Sequence, residues 1–187
     1  FKDEADIEAG PILEKWVVNE ETIRTSRAKL FEEVTQKTGL ARLKLYDNWK
    51  VAPQYIQNYT AQIAVGDYDR DGFLDIAVAG VDGVPHLLRS IEGKRFENVA
   101  TRVGIRPWHS NTTSGVDSIL ATWIDYDNDG FPDLIMGKTL YHNVGGQRFE
   151  DVTEASGLKV HYDPMGAAIA DYDGDGLLDI YILYQHT

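Results

Sequence analysis

The nonapeptide Asp67-Tyr-Asp-Arg-Asp-Gly-Phe-Leu-Asp75 has two close copies further along the chain. They are Asp125-Tyr-Asp-Asn-Asp-Gly-Phe-Pro-Asp133 and Asp171-Tyr-Asp-Gly-Asp-Gly-Leu-Leu-Asp179. Every copy has aspartate at positions 1, 3, 5 and 9, tyrosine at position 2 and glycine at position 6. Carboxylates this close repel one another unless a cation neutralises them. The spacing therefore predicts three cation-binding loops, which we number 1 to 3 in chain order.

The negative charge of the chain lies in these loops. The 187 residues include 30 acidic and 18 basic ones, for a formal net charge of −12. Removing the 12 loop aspartates leaves 18 acidic residues, which balance the 18 basic ones. The acidic balance argues against a nucleic-acid partner, and the absence of cysteine excludes disulfides and Cys-ligated metals. No run of 18 apolar residues is present, so the sequence predicts no membrane span.

Calcium is the cation that fits these loops best, because it accepts six to eight oxygen ligands in a flexible geometry, whereas magnesium demands a stricter octahedron. We expect three structural Ca²⁺ sites, since four carboxylates and a carbonyl leave little room to polarise a substrate. Acidic turns without metal are the alternative for one loop, but three matching copies argue against it. The predicted ligands are the carboxylates at positions 1, 3, 5 and 9 and the carbonyl at position 7: Asp67, Asp69, Asp71, Phe73 and Asp75; Asp125, Asp127, Asp129, Phe131 and Asp133; Asp171, Asp173, Asp175, Leu177 and Asp179.

The sequence around the loops argues against an EF-hand, which needs glutamate at position 12 of its loop. Val78, Met136 and Ile182 stand there instead. The flanks are short apolar runs such as Gln62-Ile-Ala-Val-Gly66, which are typical of strands and not of helices. Each unit is therefore predicted to be a strand, a calcium loop and a second strand.

A second motif, F-E-x-V-[TA]-x-x-x-G-[LI], recurs as a box at residues 31–40, 96–105 and 149–158. The box phenylalanines are 65 and 53 residues apart, which suits propeller blades of about four short strands. We expect an all-β fold of about three four-stranded β-propeller blades belonging to a larger propeller. The expected boundaries are an N-terminal extension or arm at 1–30, blade 1 at 31–94, blade 2 at 95–147 and an incomplete blade 3 at 148–187.

Loops and boxes together resemble FG-GAP/VCBS repeats of integrin α-subunit propellers and of the cartilage-acidic-protein/UnbV (ASPIC) group, over about residues 30–187. The resemblance implies a calcium-stabilised propeller in an extracytoplasmic location (periplasm, cell surface or secreted) that serves in adhesion or assembly. An extrinsic subunit of a membrane-bound complex is one such role. Two boxes depart from the usual pattern, with Glu33 and Asn98 at the aspartate position.

The connections after the first two boxes are the segments predicted to bind a protein partner, because they vary most in length and combine aromatic with amide side chains. They contain Tyr46, Trp49, Tyr55 and Tyr59 in the first and Trp108 and His109 in the second. Packing of these aromatics on their own blade is an equally open alternative. Residues 1–30 could form a helix or an extended arm.

The sequence does not predict an enzyme. The five histidines are scattered without metal-ligand spacing, and nucleophile and phosphate-loop motifs are absent. Paired aspartates could serve glycoside hydrolysis, so a carbohydrate-binding or carbohydrate-cleaving propeller is the alternative. We expect a non-enzymatic protein-interaction or assembly module.

Overall fold

The computed structural model describes residues 32–43, 62–80, 84–107, 119–160 and 164–184. All of these except Glu32 and Glu33 belong to one compact unit, residues 34–187; a separate unit comprises residues 1–33. The predicted N-terminal arm and the aromatic residues of both post-box connections lie outside the described residues.

The described part of the chain contains ten strands in three antiparallel sheets and one short 3₁₀ helix, Leu40–Arg42. Strands that are neighbours in a sheet are also consecutive in sequence, so each sheet is a simple meander. This arrangement confirms the all-β prediction and gives the up-and-down sheets of propeller blades, although the sheets do not close into a ring. Sheet I comprises β1 (Gln62–Gly66), β2 (Asp75–Ala79), β3 (Pro85–Ile91) and β4 (Arg95–Asn98); sheet II comprises β5 (Ala121–Ile124), β6 (Asp133–Met136), β7 (Thr139–Val144) and β8 (Arg148–Asp151); sheet III comprises β9 (Pro164–Ala170) and β10 (Asp179–Tyr184).

The second and third boxes each begin with the last strand of a four-stranded sheet. Strands β4 and β8 carry the second and third box phenylalanines and pair with β3 and β7 across short hairpins. The sheets therefore run from residue 62 to 98 and from 121 to 151. Boundaries counted from box to box, at residues 95 and 148, coincide with the first residues of these closing strands. The sequence repeat is thus offset from the structural sheet by one strand.

The turn within each of the first two boxes contacts the closing strand of the following sheet. Phe96 donates its backbone N–H to the Thr38 carbonyl at 3.0 Å, and Phe149 donates to the Val103 carbonyl at 2.6 Å. Thr38 and Val103 occupy the same position, seven residues after the box phenylalanine. The box is therefore both the end of one sheet and a hydrogen-bonded connection to the next.

The apolar core lies between the sheets. Small side chains of sheet I pack against larger ones of sheet II, which include Trp123, Leu134, Met136 and Phe149. A second cluster joins the opposite face of sheet II, formed by Leu120, Ile124, Ile135 and Leu140, to Ala167, Ile169 and Ile180 of sheet III. Sheet II is thus covered on both faces, as expected when the faces of a strand alternate between two neighbouring sheets.

The two outermost sheets each leave an apolar face open. Ile63 and Val65 are 64% and 56% exposed, whereas Ala121 is buried at the equivalent position of sheet II. On the other side, Tyr181 and Leu183 are 73% and 56% exposed, whereas Ile135 is fully buried at the position equivalent to Tyr181. Sheets I and III therefore each expose a face whose equivalent in sheet II is packed against a neighbouring sheet. None of the helical segments in the described residues has the length and apolar character needed to cross a bilayer.

Candidate metal centre

The three acidic loops occupy equivalent hairpin ends, joining β1 to β2, β5 to β6 and β9 to β10. The strand pairing places the position-9 aspartate opposite the residue that precedes position 1: Gly66 opposite Asp75, Ile124 opposite Asp133 and Ala170 opposite Asp179. This confirms the predicted order of strand, loop and strand. The antiparallel pair holds both ends of each loop, so the carboxylates between them are brought together.

The aspartates organise each loop through the same hydrogen bonds. The position-5 carboxylate accepts the position-7 backbone N–H at 3.0 Å in loop 1 and at 2.8 Å in loops 2 and 3. The position-1 carboxylate accepts the N–H of the position-6 glycine at 2.9, 3.0 and 3.0 Å. Local bonds of this kind favour turns because the short aspartate side chain reaches the nearby backbone. Three different sequences therefore fold into one loop geometry.

The glycine at position 6 is required by the backbone. Gly72, Gly130 and Gly176 have φ of 89°, 87° and 88°, a left-handed conformation that glycine adopts without a steric penalty. Position 4 is also left-handed, with φ of 57° at Arg70 and 56° at Asn128. Asparagine tolerates this region better than arginine does. Loop 1 therefore holds its arginine at the expense of some backbone strain.

Each loop brings three of its four aspartates within reach of one cation. One oxygen from each member lies within 4.8 Å of the others, a separation compatible with a shared ion at the 2.3–2.6 Å typical of Ca²⁺–O bonds. A further set includes His142, which the sequence pattern does not predict as a metal ligand. The sets are Asp67, Asp69 and Asp71; Asp125, Asp127 and Asp133; Asp171, Asp173 and Asp179; and Asp127, Asp129 and His142. Asp75, Asp175 and the carbonyls of Phe73, Phe131 and Leu177 lie outside these sets, and metal ligation by all of the predicted residues stays a prediction.

Two loop carboxylates carry a buried oxygen for which no hydrogen-bond partner is found among the described residues: Asp69 Oδ1 and Asp125 Oδ1. A buried acceptor without a partner is destabilising, and more so when it is charged. A cation at each loop would satisfy it. The three sets made only of aspartates offer hard oxygen donors, which suit calcium.

The position-9 aspartates fasten the loops to the sheets. Asp75 and Asp133 are fully buried. Asp75 accepts the backbone N–H of Tyr68 at 3.1 Å and of Ser90 at 2.7 Å. Asp133 accepts the equivalent pair, Tyr126 at 3.1 Å and Asn143 at 2.7 Å. Burial raises the pKa of Asp75 to about 6 and also raises the pKa of Asp133, although the amide donors oppose the shift.

Two side chains that contact the loop aspartates, Arg89 in β3 and His142 in β7, are not among the residues predicted from the sequence. Arg89 Nε lies 2.5 Å from Asp69 Oδ2, and its Nη2 lies 3.0 Å from Asp71 Oδ2. His142 Nδ1 lies 3.1 Å from Asp133 Oδ1 and 3.4 Å from Asp127 Oδ2. Both stand seven residues before a box phenylalanine, and this common spacing is the signal that could have revealed them.

Loops 1 and 2 also contact each other. The Arg70 guanidinium lies over the Phe131 ring, 5.2 Å from its centroid. The Asn143 amide Nδ2 donates to the carbonyl oxygens of Tyr68 in loop 1, at 2.8 Å, and Pro132 in loop 2, at 2.9 Å. The two candidate cation sites are therefore parts of one connected surface.

Comparison with known proteins agrees with this architecture. The family model of the FG-GAP-like repeat matches residues 67–136 and 137–182, and so covers more than half of the chain. The chain belongs to the FG-GAP-like repeat family. This confirms the resemblance drawn from the loops and boxes.

The individual relatives have between 26% and 32% sequence identity with this chain. Cartilage acidic protein 1 of Xenopus tropicalis is 28% identical over 146 residues, which cover 67% of this chain and 21% of that protein. Human cartilage acidic protein 1 is 26% identical over 142 residues, covering 67% and 20%. Human integrin alpha-IIb is 32% identical over 112 residues, covering 56% of this chain and 10% of the integrin. The chain therefore spans only about a fifth of the length of the first of these relatives.

Proposed function

We propose that this chain is a calcium-stabilised FG-GAP propeller module that serves protein interaction or assembly. The observation that carries the calcium assignment is the triplicate loop, in which three carboxylates of each copy offer oxygens within 4.8 Å of one another. Asp69 Oδ1 and Asp125 Oδ1, which are buried and have no hydrogen-bond partner among the described residues, add support for loops 1 and 2.

Bound Ca²⁺ would supply charge neutralisation at the hairpin ends. Three ions would change the formal net charge from −12 to −6. The holding residues are the aspartates at positions 1, 3, 5 and 9 together with the position-7 carbonyls of each loop. Asp75 and Asp133 also accept amide hydrogens from β3 and β7, so ion binding and sheet packing are linked through the same side chains.

An extracytoplasmic location, in the periplasm, at the cell surface or in secreted form, follows from the calcium proposal. Loops of this kind in extracellular modules bind at Kd of about 10⁻⁴–10⁻³ M, which requires the calcium concentrations found outside the cytoplasm. The proposed partner is a protein, including a membrane complex reached on its extracytoplasmic face.

A binding role is favoured over catalysis because the acidic and histidine side chains already have structural contacts. His86 Nδ1 lies 2.9 Å from Asn98 Nδ2, and His142 lies against Asp133. The other three histidines lie outside the described residues. The loop aspartates accept hydrogen bonds from the backbone of their own loop or belong to the sets that could hold an ion.

The calcium assignment can be tested by titrating chelator-stripped protein with Ca²⁺ and with Mg²⁺ in a calorimeter. We expect saturable Ca²⁺ binding at three sites per chain and weaker Mg²⁺ binding. A matched variant with Asp67→Asn, Asp125→Asn and Asp171→Asn keeps the shape of each side chain and should lose most of the heat. Equal heats for the two proteins would reject the assignment.

The interaction role can be tested by co-purification from the native source. Substituting Trp49 and Trp108 with alanine should reduce the recovery of a specific partner without changing the circular dichroism spectrum. Substituting the exposed Tyr172 in loop 3 serves as an aromatic control outside the post-box connections. Unchanged recovery in the double variant would reject these connections as the binding surface.

A further inference from the structure

The three loops differ in the positive charge placed beside them. Loop 1 contains Arg70 at position 4, where loops 2 and 3 have Asn128 and Gly174. Arg89 of β3 adds a second guanidinium through its two contacts with Asp69 and Asp71. The nonapeptide of loop 1 has a formal charge of −3, against −4 for the nonapeptides of loops 2 and 3, and Arg89 brings the charge around loop 1 to −2. The loops are alike in backbone and unlike in electrostatics.

Arg89 engages the same carboxylates that are expected to hold the ion. Asp69 has one oxygen bonded to Arg89 Nε and the other buried without a partner among the described residues. Asp71 likewise shares an oxygen with Arg89 Nη2 while its other oxygen accepts the Phe73 N–H. A guanidinium keeps its charge at all relevant pH values, and its forked donors hold this geometry firmly. Any cation in loop 1 must therefore share its ligands with a fixed positive charge.

The position of Arg89 is structurally defined. It follows Leu88, the partner of Ile76 in the β2–β3 pairing, just as His142 follows Tyr141, the partner of Leu134 in the β6–β7 pairing. Each of these side chains lies beside the loop of its own sheet, seven residues before the box phenylalanine. Calcium affinity in carboxylate loops is tuned by the number of charges around the ion. One position per sheet is thus placed to set the strength of its loop.

We propose that the residue seven positions before the box phenylalanine determines the calcium affinity of its sheet, and that Arg89 makes loop 1 the weaker site compared with loop 2. The inference rests on the proposed calcium function. The Arg89 guanidinium supplies part of the positive charge that Ca²⁺ would otherwise provide. It therefore holds Asp69 and Asp71 together without an ion and lowers the affinity of loop 1 for Ca²⁺.

The position-6 glycines provide one reporter per loop for the test. Their N–H groups are bonded to the position-1 carboxylates, so their ¹H–¹⁵N resonances respond to ion binding at that loop. In a Ca²⁺ titration of the whole chain, the Gly72 resonance should reach its midpoint at a calcium concentration at least about tenfold higher than Gly130. The variant Arg89→Gln should lower the Gly72 midpoint by at least about tenfold and leave that of Gly130 within about twofold.

Four further variants make the outcome decisive. Arg89→Lys keeps the charge and should leave the Gly72 midpoint much nearer to the original than Arg89→Gln does. His142→Arg places a guanidinium beside loop 2 and should raise the Gly130 midpoint by at least about tenfold relative to His142→Gln, a control that removes the same imidazole without adding charge. This comparison tests the position even if Arg89→Gln fails to fold. Arg42→Gln removes an exposed arginine of the 3₁₀ helix and should change neither midpoint.

A Gly72 midpoint that is unchanged or higher in Arg89→Gln, or a Gly130 midpoint in His142→Arg no higher than in His142→Gln, would overturn the inference while leaving the calcium function intact. Glycine resonances that fail to move with calcium in every variant would instead overturn the calcium function, and this inference with it.

Discussion

The side-chain amide of Asn143 donates to the backbone carbonyl of Tyr68 at 2.8 Å, although the two residues are 75 positions apart. The same nitrogen reaches Pro132 O at 2.9 Å, and Asn143 Oδ1 accepts the Gly146 N–H at 2.9 Å. Asn143 is fully buried. A single side chain outside both loops thus fixes the position of loop 1 relative to loop 2.

Replacing Asn143 with alanine should lower the free energy of unfolding by about 2–3 kcal/mol, because two carbonyls and one amide lose a buried partner. Asn143→Asp is nearly isosteric but points a carboxylate at two carbonyl oxygens, so it should be at least as harmful. Urea unfolding at one fixed calcium concentration measures both. A loss below about 0.5 kcal/mol in Asn143→Ala would show that the bridge contributes little to stability.

The box glycines offer a matched pair of positions. A Cβ on Gly104, which has φ of 99°, would lie 2.5 Å from the Phe149 carbonyl oxygen of the neighbouring strand. Gly157 has φ of 75° at the same box position, but a Cβ there would have no atom within 4 Å. Gly104→Ala should therefore lose about 3 kcal/mol or more, and Gly157→Ala only about 1 kcal/mol from backbone strain. Similar losses in the two variants would contradict the close approach of box turn and strand.

Asp75 predicts a defined dependence of stability on pH in the presence of chelator. Its pKa is raised from 3.8 to about 6, first by burial, so the folded chain holds the proton more tightly than the unfolded chain does. The stabilisation is present at low pH and is lost as the pH rises through the folded pKa. Between about pH 5 and about pH 7 the wild type should lose roughly 1 kcal/mol that Asp75→Asn does not lose.

Urea unfolding of the wild type and of Asp75→Asn at about pH 5 and about pH 7 gives four free energies of unfolding. Their double difference is the pH-dependent contribution of Asp75. Comparing wild type with variant at each pH cancels the contributions of other titrating groups. Equal pH dependence in the two proteins would contradict a raised pKa at Asp75.

Local sequence pattern was sufficient to predict the loops and their strands. The aspartate spacing dictates the loop hydrogen bonds, and the apolar runs beside it become β1, β2, β5, β6, β9 and β10. The Gly145-Gly146 pair marks the β7–β8 hairpin for the same local reason: both residues have positive φ. These features depend on neighbours within about ten residues, where spacing is informative.

The contacts between sheets could not be predicted from spacing alone. Asn143 lies in a strand whose sequence indicates only a β segment, and its partner Tyr68 is fixed by how the chain returns beside an earlier loop. The sequence also did not predict that the second and third boxes close the preceding sheets, because a strand next to a hairpin can pair on either side. Metal ligation by the loop aspartates and the position-7 carbonyls stays a prediction.

Thermal unfolding with and without calcium tests the central claim most directly. The chelated wild type should melt at least about 10 °C below the protein in about 10 mM calcium, since a roughly 10- to 100-fold excess over the expected Kd adds about 1.4–2.7 kcal/mol for each filled site. The Asp67→Asn, Asp125→Asn and Asp171→Asn triple variant should melt at nearly the same temperature in both solutions. Coincident melting curves for the wild type in calcium and in chelator would contradict a calcium-stabilised fold.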